Sequence, residues 1–307
     1  MRYISTRGET PPMGFADAVL TGLAPDGGLL VPERIPDLSG RLDALAKLSY
    51  IDLAHAILCE FIDDIDADAL RRIVQDAYAT FDHPEVTPLV QLSHEHVLEL
   101  FHGPTLAFKD VALQLVGRLF DEVLRARGTR VTIVGATSGD TGSAAIDGVK
   151  DCANVDIVIL YPHNRTSDVQ RKQMTTVDSP NVRVVAVEGT FDDCQDMVKA
   201  MFNDAPFRER MGLSAVNSIN WARVMAQVVY YAVAADLLAG PIDVCVPSGN
   251  FGNVFAGWIA RRMGASIDQL VVASNANDIL TRFFRSNDMS TEPVLPSLSP
   301  SMDIQVS

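Results

Sequence analysis

The sequence predicts an α/β protein built on parallel sheets flanked by helices. From about residue 96, runs of β-branched residues alternate with segments whose apolar residues recur at helical spacing. Parallel strands need long crossover connections, which are usually helices, so this alternation favours a parallel sheet. The 307 residues are 48% hydrophobic and 21% charged, which is enough for about two domains with substantial cores.

The first 80 or so residues predict a mostly helical region. Apolar residues recur at helical spacing in residues 15–23, 42–61 and 67–79, and prolines interrupt the chain at 11–12, 32–36 and 84–88. The last of these breaks predicts a boundary. We therefore expect an N-terminal helical domain over residues 1–85 and a catalytic region over residues 86–307.

The elements of the catalytic region follow from the same patterns. Strands are predicted at residues 97–101, 131–134, 155–160, 182–187, 244–246 and 270–273. Helices are predicted at residues 142–149, 167–176, 191–202, 219–238 and 254–263, and another helix has Lys109 just inside its start. Thr190 or Asp192 can cap the helix over 191–202. In such sheets ligands bind beyond the carboxyl ends of the strands.

Charge and cysteine content limit the class of protein. A net charge of −14 disfavours binding to nucleic acid or to an anionic membrane surface. No apolar stretch is long enough to span a bilayer, and the N-terminus lacks the apolar core of a signal peptide. The four cysteines are scattered and lack metal-ligand spacing. We expect a cytoplasmic protein with reduced thiols and no metal site.

One lysine occupies a distinctive position. Lys109 follows a Gly-Pro turn and the apolar residues Leu106, Ala107 and Phe108, and it lies just inside the start of a helix whose apolar residues recur at helical spacing. Such a site can remove water from an amine, which lowers its pKa and frees it to attack an aldehyde. A solvated surface lysine is the alternative for this residue taken alone.

Two loops at strand ends add anion-binding groups. Residues 136–142 combine glycines and hydroxyl side chains before a helix, where backbone N–H groups suit a carboxylate. Residues 247–253 combine glycines, asparagines and a serine before another helix, and such a loop suits a phosphate. The second loop lacks the Gly-Lys-Ser/Thr ending of nucleotide-binding loops, which disfavours ATP. Each loop taken alone is also compatible with an ordinary strand-to-helix turn.

These three elements, together with residues 15–19, 22–29 and 217–223, resemble the threonine synthases. The resemblance implies a pyridoxal 5'-phosphate (PLP) enzyme of fold type II, similar to the tryptophan synthase β chain, with Lys109 as the Schiff-base lysine and proton carrier. It also implies three groups of binding residues. The cofactor phosphate would be bound by Gly249, Asn250, Phe251, Gly252 and Asn253. The loop near the substrate carboxylate would be Thr137, Ser138, Gly139, Asp140, Thr141 and Gly142. The substrate phosphate would be bound by Asn217, Ser218, Asn220 and Arg223.

The implied reaction converts O-phospho-L-homoserine and water to L-threonine and phosphate by β,γ-elimination and hydration, the last step of threonine biosynthesis. A smaller mobile domain, at about residues 130–240, would close over the substrate. Asp140 needs a proton or a cationic neighbour if it lies beside a substrate carboxylate. We expect a monomer or homodimer that lacks the C-terminal part of the large domain, because family members continue past Ser307. A PLP-dependent serine/threonine dehydratase and an inactive truncated fragment are the alternatives.

Overall fold

The computed structural model describes residues 1–45, 47–215, 220–238, 240–247, 249–299 and 302–304. The chain divides into two compact units. The first unit contains Met1–Glu33 and Tyr50–Ala226, and the second contains Arg34–Ser49 and Gln227–Ser307. No helix in the described part of the chain is long and apolar enough to cross a membrane.

The N-terminal part of the first unit is not purely helical. Strands β1 (Tyr3–Ser5) and β2 (Leu30–Pro32) form an antiparallel pair, and helix α1 (Phe15–Thr21) lies between them in sequence. Helices α3 (Tyr50–Phe61) and α4 (Ala67–Tyr78) follow. The two strands have only three residues each, which is too short for a periodic pattern in the sequence.

The single helix predicted over residues 42–61 is wrong. The structure has a short helix α2 (Leu42–Leu45) and then α3, and a turn closed by the Leu48 N–H donating to the Leu45 carbonyl follows α2. Helix α2 belongs to the second unit and α3 to the first. The helical periodicity is therefore interrupted where the chain passes from one unit to the other.

A parallel sheet forms the centre of the first unit, as predicted. Its strands are β5 (Val131–Ala136), β6 (Val155–Pro162), β7 (Val182–Val187) and β8 (Leu213–Ser214). They lie in the order β7-β6-β5-β8, and each neighbouring pair is parallel. The sequence prediction missed β8, which has two residues. The strand predicted at 97–101 is shifted, because β3 (Leu89–Leu92) and β4 (Glu95–Leu98) form an antiparallel hairpin instead.

Helices connect these strands. They are α5 (Asp110–Arg127), α6 (Asp140–Val149), α7 (Asp168–Thr175), α8 (Phe191–Asn203) and α9 (Ala205–Met211). The Thr190 hydroxyl accepts from the Asp193 N–H, and the Asp193 carboxylate accepts from the Thr190 N–H, so a capping box begins α8. The prediction of a Thr190 cap is confirmed. The sequence prediction missed α9.

The second unit contains a smaller parallel sheet. Strands β9 (Ile242–Pro247) and β10 (Ile267–Ala273) pair in parallel, with α11 (Gly252–Arg262) between them in sequence. Helix α12 (Ile279–Ser286) follows β10. Helix α10 (Trp221–Leu237) begins in the first unit and continues into the second.

Candidate active site

The turn before Lys109 is closed by hydrogen bonds to a buried carboxylate. Both the backbone N–H and the hydroxyl of Thr105 donate to the Asp110 side chain, at 2.8 and 2.7 Å. Asp110 is fully buried at the start of α5. The Leu106 N–H donates to the Gly103 carbonyl at 3.1 Å and tightens the same turn. These bonds fix the segment that carries Lys109 against the first turn of its helix.

Lys109 is buried, as its apolar neighbours predict. The residue is 8% exposed, and its Nζ lies 4.5 Å from the centre of the Phe108 ring. Burial lowers the pKa of the Lys109 ammonium below its usual value. The expectation of a desolvated amine is therefore confirmed in direction, and the surface-lysine alternative is wrong.

Lys109 is the cationic neighbour that the sequence argument required for Asp140. Lys109 Nζ donates to Asp140 Oδ2 at 2.5 Å. Asp140 begins α6 directly after the loop at the end of β5, and the Thr141 N–H donates to its other oxygen at 2.7 Å. The loop and the lysine turn therefore meet at one ion pair within the first unit.

A second buried cation acts on the same carboxylate. Arg223 is 3% exposed, and burial lowers the pKa of its guanidinium to about 10, which still leaves it charged at neutral pH. The Asp140 carboxylate opposes that shift, and the Arg223 charge in turn lowers the pKa of Lys109. The structure thus brings together one carboxylate and two cations that the sequence separates by 31 and 83 residues.

The N-terminal elements hold the beginning of α10, which carries Arg223. The Trp221 ring packs on Phe61 with centroids 5.6 Å apart, and the Tyr3 hydroxyl donates to the Phe61 carbonyl at 2.8 Å. Asn220 is fully buried, and its amide donates to the Val19 carbonyl at 2.8 Å. Its side-chain oxygen accepts from the Ala222 N–H at 3.0 Å. Asn220 therefore lies directly before α10 and ties the start of this helix to α1. Its role in substrate binding stays a prediction.

The loop before α6 is shaped by its own hydroxyl and glycine residues. The buried Thr137 hydroxyl accepts from the N–H groups of Gly139 and Gly142, at 3.0 and 2.9 Å. Gly139 has a φ of 154° and a ψ of −82°, a conformation that favours glycine. Ser138 is exposed and Thr141 is half-buried. Thr137 therefore holds the shape of the loop, while the Ser138 side chain is exposed to solvent. Asn217 and Ser218, which were also predicted to bind substrate, lie outside the described residues.

The predicted phosphate loop lies in the second unit, at the carboxyl end of β9. Helix α11 begins at Gly252 with Phe251 as its N-cap, and its first turn contains no acidic residue. Its backbone N–H groups therefore suit an anion. The Asn253 side-chain oxygen accepts from the hydroxyls of Tyr230 and Tyr231, at 2.6 and 2.8 Å. Gly249 and Asn250 precede the helix, and Ser248 lies outside the described residues.

Three side chains that sequence reasoning missed support these elements. Asp110 holds the lysine turn, and Tyr230 and Tyr231 hold Asn253. The two tyrosines lie 23 and 22 residues before Asn253, so no local pattern links them. Asp110 directly follows Lys109, and a buried position at the first turn of an apolar helix was the available signal.

The chemistry of these groups fits PLP. In the first unit, the desolvated amine of Lys109 can bind the cofactor aldehyde. In the second unit, the first turn of α11 carries no acidic residue, so its backbone donors suit a phosphate. Within the described residues, no group of three or more His, Cys, Asp or Glu side chains is placed to hold a metal ion. The fold and these residues define a PLP-dependent enzyme of fold type II.

Comparison with known proteins gives the particular family. Residues 2–78 match the family described as threonine synthase N terminus, and residues 81–307 match the family of pyridoxal-phosphate-dependent enzymes. The threonine synthase of Pseudomonas aeruginosa is 56% identical, with 100% of this chain and 67% of the relative covered. That of Schizosaccharomyces pombe is 46% identical, with 99% and 65% covered.

A solved structure agrees with these relatives. PLP-bound threonine synthase from Brucella melitensis superimposes with a TM-score of 0.95 and 52% identity, covering 100% of this chain and 68% of that one. The chain therefore spans about two thirds of the length of the relatives that it matches. It belongs to the threonine synthase family of PLP-dependent enzymes.

Proposed function

We propose that this protein converts O-phospho-L-homoserine and water to L-threonine and phosphate. The observation that carries the proposal is the buried group of Lys109, Asp140 and Arg223 within the first unit. An amine that can bind an aldehyde lies in the same cluster as a buried guanidinium. A guanidinium binds phosphate through two parallel hydrogen bonds, which suits a phosphorylated amino acid.

The roles of the residues follow from their positions. Bound PLP supplies an electron sink for negative charge that develops on the substrate. Lys109 takes and returns protons at the substrate carbon atoms, and the loop of Thr137, Ser138, Gly139, Asp140 and Thr141 lies where the carboxylate of the substrate binds. Arg223, with Asn217, Ser218 and Asn220 near it in sequence, orients the substrate phosphate. Gly249, Asn250, Phe251, Gly252 and Asn253 bind the cofactor phosphate.

Several further features belong to the same proposal. A closing movement of about residues 130–240 excludes water that would divert the reaction. Three more statements also stay proposals. They are a domain boundary between residues 85 and 86, a cytoplasmic location, and a monomeric or homodimeric state. Cell fractionation tests the location, and analytical ultracentrifugation tests the oligomeric state.

The test is product analysis with the complete gene product and added PLP. O-phospho-L-homoserine should yield threonine and phosphate in equal amounts. Lys109→Ala should lose this activity and also the absorbance change that accompanies cofactor capture, while its circular dichroism spectrum stays that of the wild type. If threonine or serine is consumed to a 2-oxo acid and O-phospho-L-homoserine is not, the enzyme is a dehydratase instead.

A further inference from the structure

The contact between Lys109 and Asp140 suggests a specific role for the carboxylate. The two groups approach to 2.5 Å, and their side chains are only 9% and 17% exposed. A buried ammonium without a partner is costly, and a carboxylate at this distance compensates much of that cost.

The charged groups that face Lys109 act in opposite directions. Burial and the Arg223 guanidinium on α10 both oppose the ammonium form. Asp140 on α6 and Asp110 on α5 both favour it. Asp110 already accepts two hydrogen bonds from Thr105, whereas Asp140 contacts the Lys109 nitrogen directly. Asp140 is therefore positioned to decide how readily Lys109 holds a proton.

We infer that Asp140 is the acid–base partner of Lys109, and that its carboxylate makes this lysine an effective carrier of protons between substrate carbon atoms. The inference rests on the proposed function, because that reaction removes a proton from one carbon and delivers a proton to another. It assigns Asp140 a role in proton transfer in addition to its place in the substrate loop.

The proton transfers balance as follows. A substrate C–H bond breaks, its electron pair stays with the substrate, and the proton bonds to the lone pair of Lys109 Nζ. The resulting ammonium lies against the Asp140 carboxylate, which neutralises its charge. When the proton passes to another carbon, the N–H bond breaks and Lys109 becomes neutral again. Without Asp140, burial and Arg223 would make the amine a weaker base and shorten the life of the ammonium.

Chemical labelling of the cofactor-free protein tests this role without relying on turnover. Formaldehyde with cyanoborohydride methylates neutral amines, so the pH dependence of labelling in the Lys109 peptide, read by mass spectrometry, reports the protonation of Lys109. In Asp140→Asn the labelling midpoint should move to lower pH by about one unit or more, which is at least about tenfold in the ammonium equilibrium. Turnover of the cofactor-loaded variant should fall at the same time.

A matched control lies on the same helix. Asp147 contacts Lys150 at 2.7 Å, and its side chain is 16% exposed, close to the 17% of the Asp140 side chain. Asp147→Asn should leave the Lys109 midpoint unchanged, and Asp140→Glu should restore it towards the wild-type value. A misfolded variant would lose both labelling selectivity and cofactor capture, whereas the inference requires labelling to become easier as turnover falls.

Two outcomes overturn the inference. One is a Lys109 midpoint that stays fixed or rises in Asp140→Asn, and the other is an equal downward shift in Asp147→Asn. Failure of the proposed function has a different signature, since the wild type would then produce no threonine whatever the labelling midpoints are.

Discussion

At the scale of single residues, the charge on Lys109 results from a balance between its neighbours. Burial and Arg223 favour the neutral amine, and Asp140 and Asp110 favour the ammonium. A neutral amine is needed to capture an aldehyde, and a stable ammonium is needed to carry a proton. Because these contributions oppose one another, a change in any one neighbour should shift the pKa of Lys109 in a direction set by that neighbour.

Removing the guanidinium should shift this balance in the opposite direction to removing Asp140. In Arg223→Met, a side chain of similar length keeps much of the packing but loses the positive charge that lowers the Lys109 pKa. The midpoint of Lys109 methylation should therefore rise. A midpoint that falls or stays fixed would show that Arg223 does not act on the amine.

The two tyrosines beside Asn253 give another prediction at this scale. Their hydroxyls both donate to the same amide oxygen, so each change to Phe removes one hydrogen bond from Asn253. A loss of about 0.5–1.5 kcal/mol per bond corresponds to roughly two- to tenfold weaker binding. PLP affinity, measured by fluorescence titration, should fall by this factor in Tyr231→Phe. Unchanged affinity would mean that Asn253 does not take part in binding the cofactor.

At the scale of elements, the close approach of α5 and α6 supports the contact between Lys109 and Asp140. Gly117 and Gly148 lie where the two helices meet, and a Cβ atom at Gly148 would lie 2.5 Å from the Leu113 carbonyl oxygen. No side chain fits there unless the helices separate. Since Lys109 precedes α5 and Asp140 begins α6, the packing of these helices sets the geometry of the ion pair.

A methyl group at position 148 should therefore cost stability. Gly148→Ala is expected to lower the free energy of unfolding by about 1–3 kcal/mol, because the added atom meets backbone and not a movable side chain. Urea denaturation measures the change. Gly40→Ala is the control, since nothing lies within 4 Å of a Cβ there. Equal effects at both positions would contradict the packing argument.

The sequence predicts the longer elements well and the shorter ones poorly. Strands β5, β6 and β7 contain runs of four or more β-branched or apolar residues, which make a clear pattern. Their ends were therefore predicted to within two residues of the observed ends. Strands β1, β2 and β8 have two or three residues and make none. Lys109, Asp140 and Arg223 lie in recognisable motifs, but the partners of Asn253 become neighbours only through folding.

At the scale of the whole molecule, an acidic protein is proposed to bind a phosphorylated substrate. The net charge of −14 gives no general attraction for an anion. Binding must depend on buried local cations and helix N-termini, where the interaction is little affected by salt. This arrangement places carboxylates close to the site as well, and one of them affects the stability of the fold.

That carboxylate is Asp110, and its effect has a defined sign. Burial raises its pKa from 3.8 to about 6, so the folded protein binds this proton more tightly than the unfolded chain does. The contribution of Asp110 to stability therefore falls as pH rises from about 4 to about 6, by up to roughly 3 kcal/mol. Urea unfolding of the wild type and Asp110→Asn across this range measures it. The variant should gain stability relative to the wild type as pH rises, and a constant difference would contradict the assignment.

The most direct test of the proposed reaction follows oxygen atoms from ¹⁸O-labelled water. If phosphate leaves from the γ-carbon and water adds at the β-carbon, the label should appear in the hydroxyl group of threonine. The released phosphate should carry no label, since its bridging oxygen comes from the substrate. Label in the phosphate together with homoserine as product would mean simple phosphate-ester hydrolysis, and would contradict the central claim that this protein is a threonine-forming lyase.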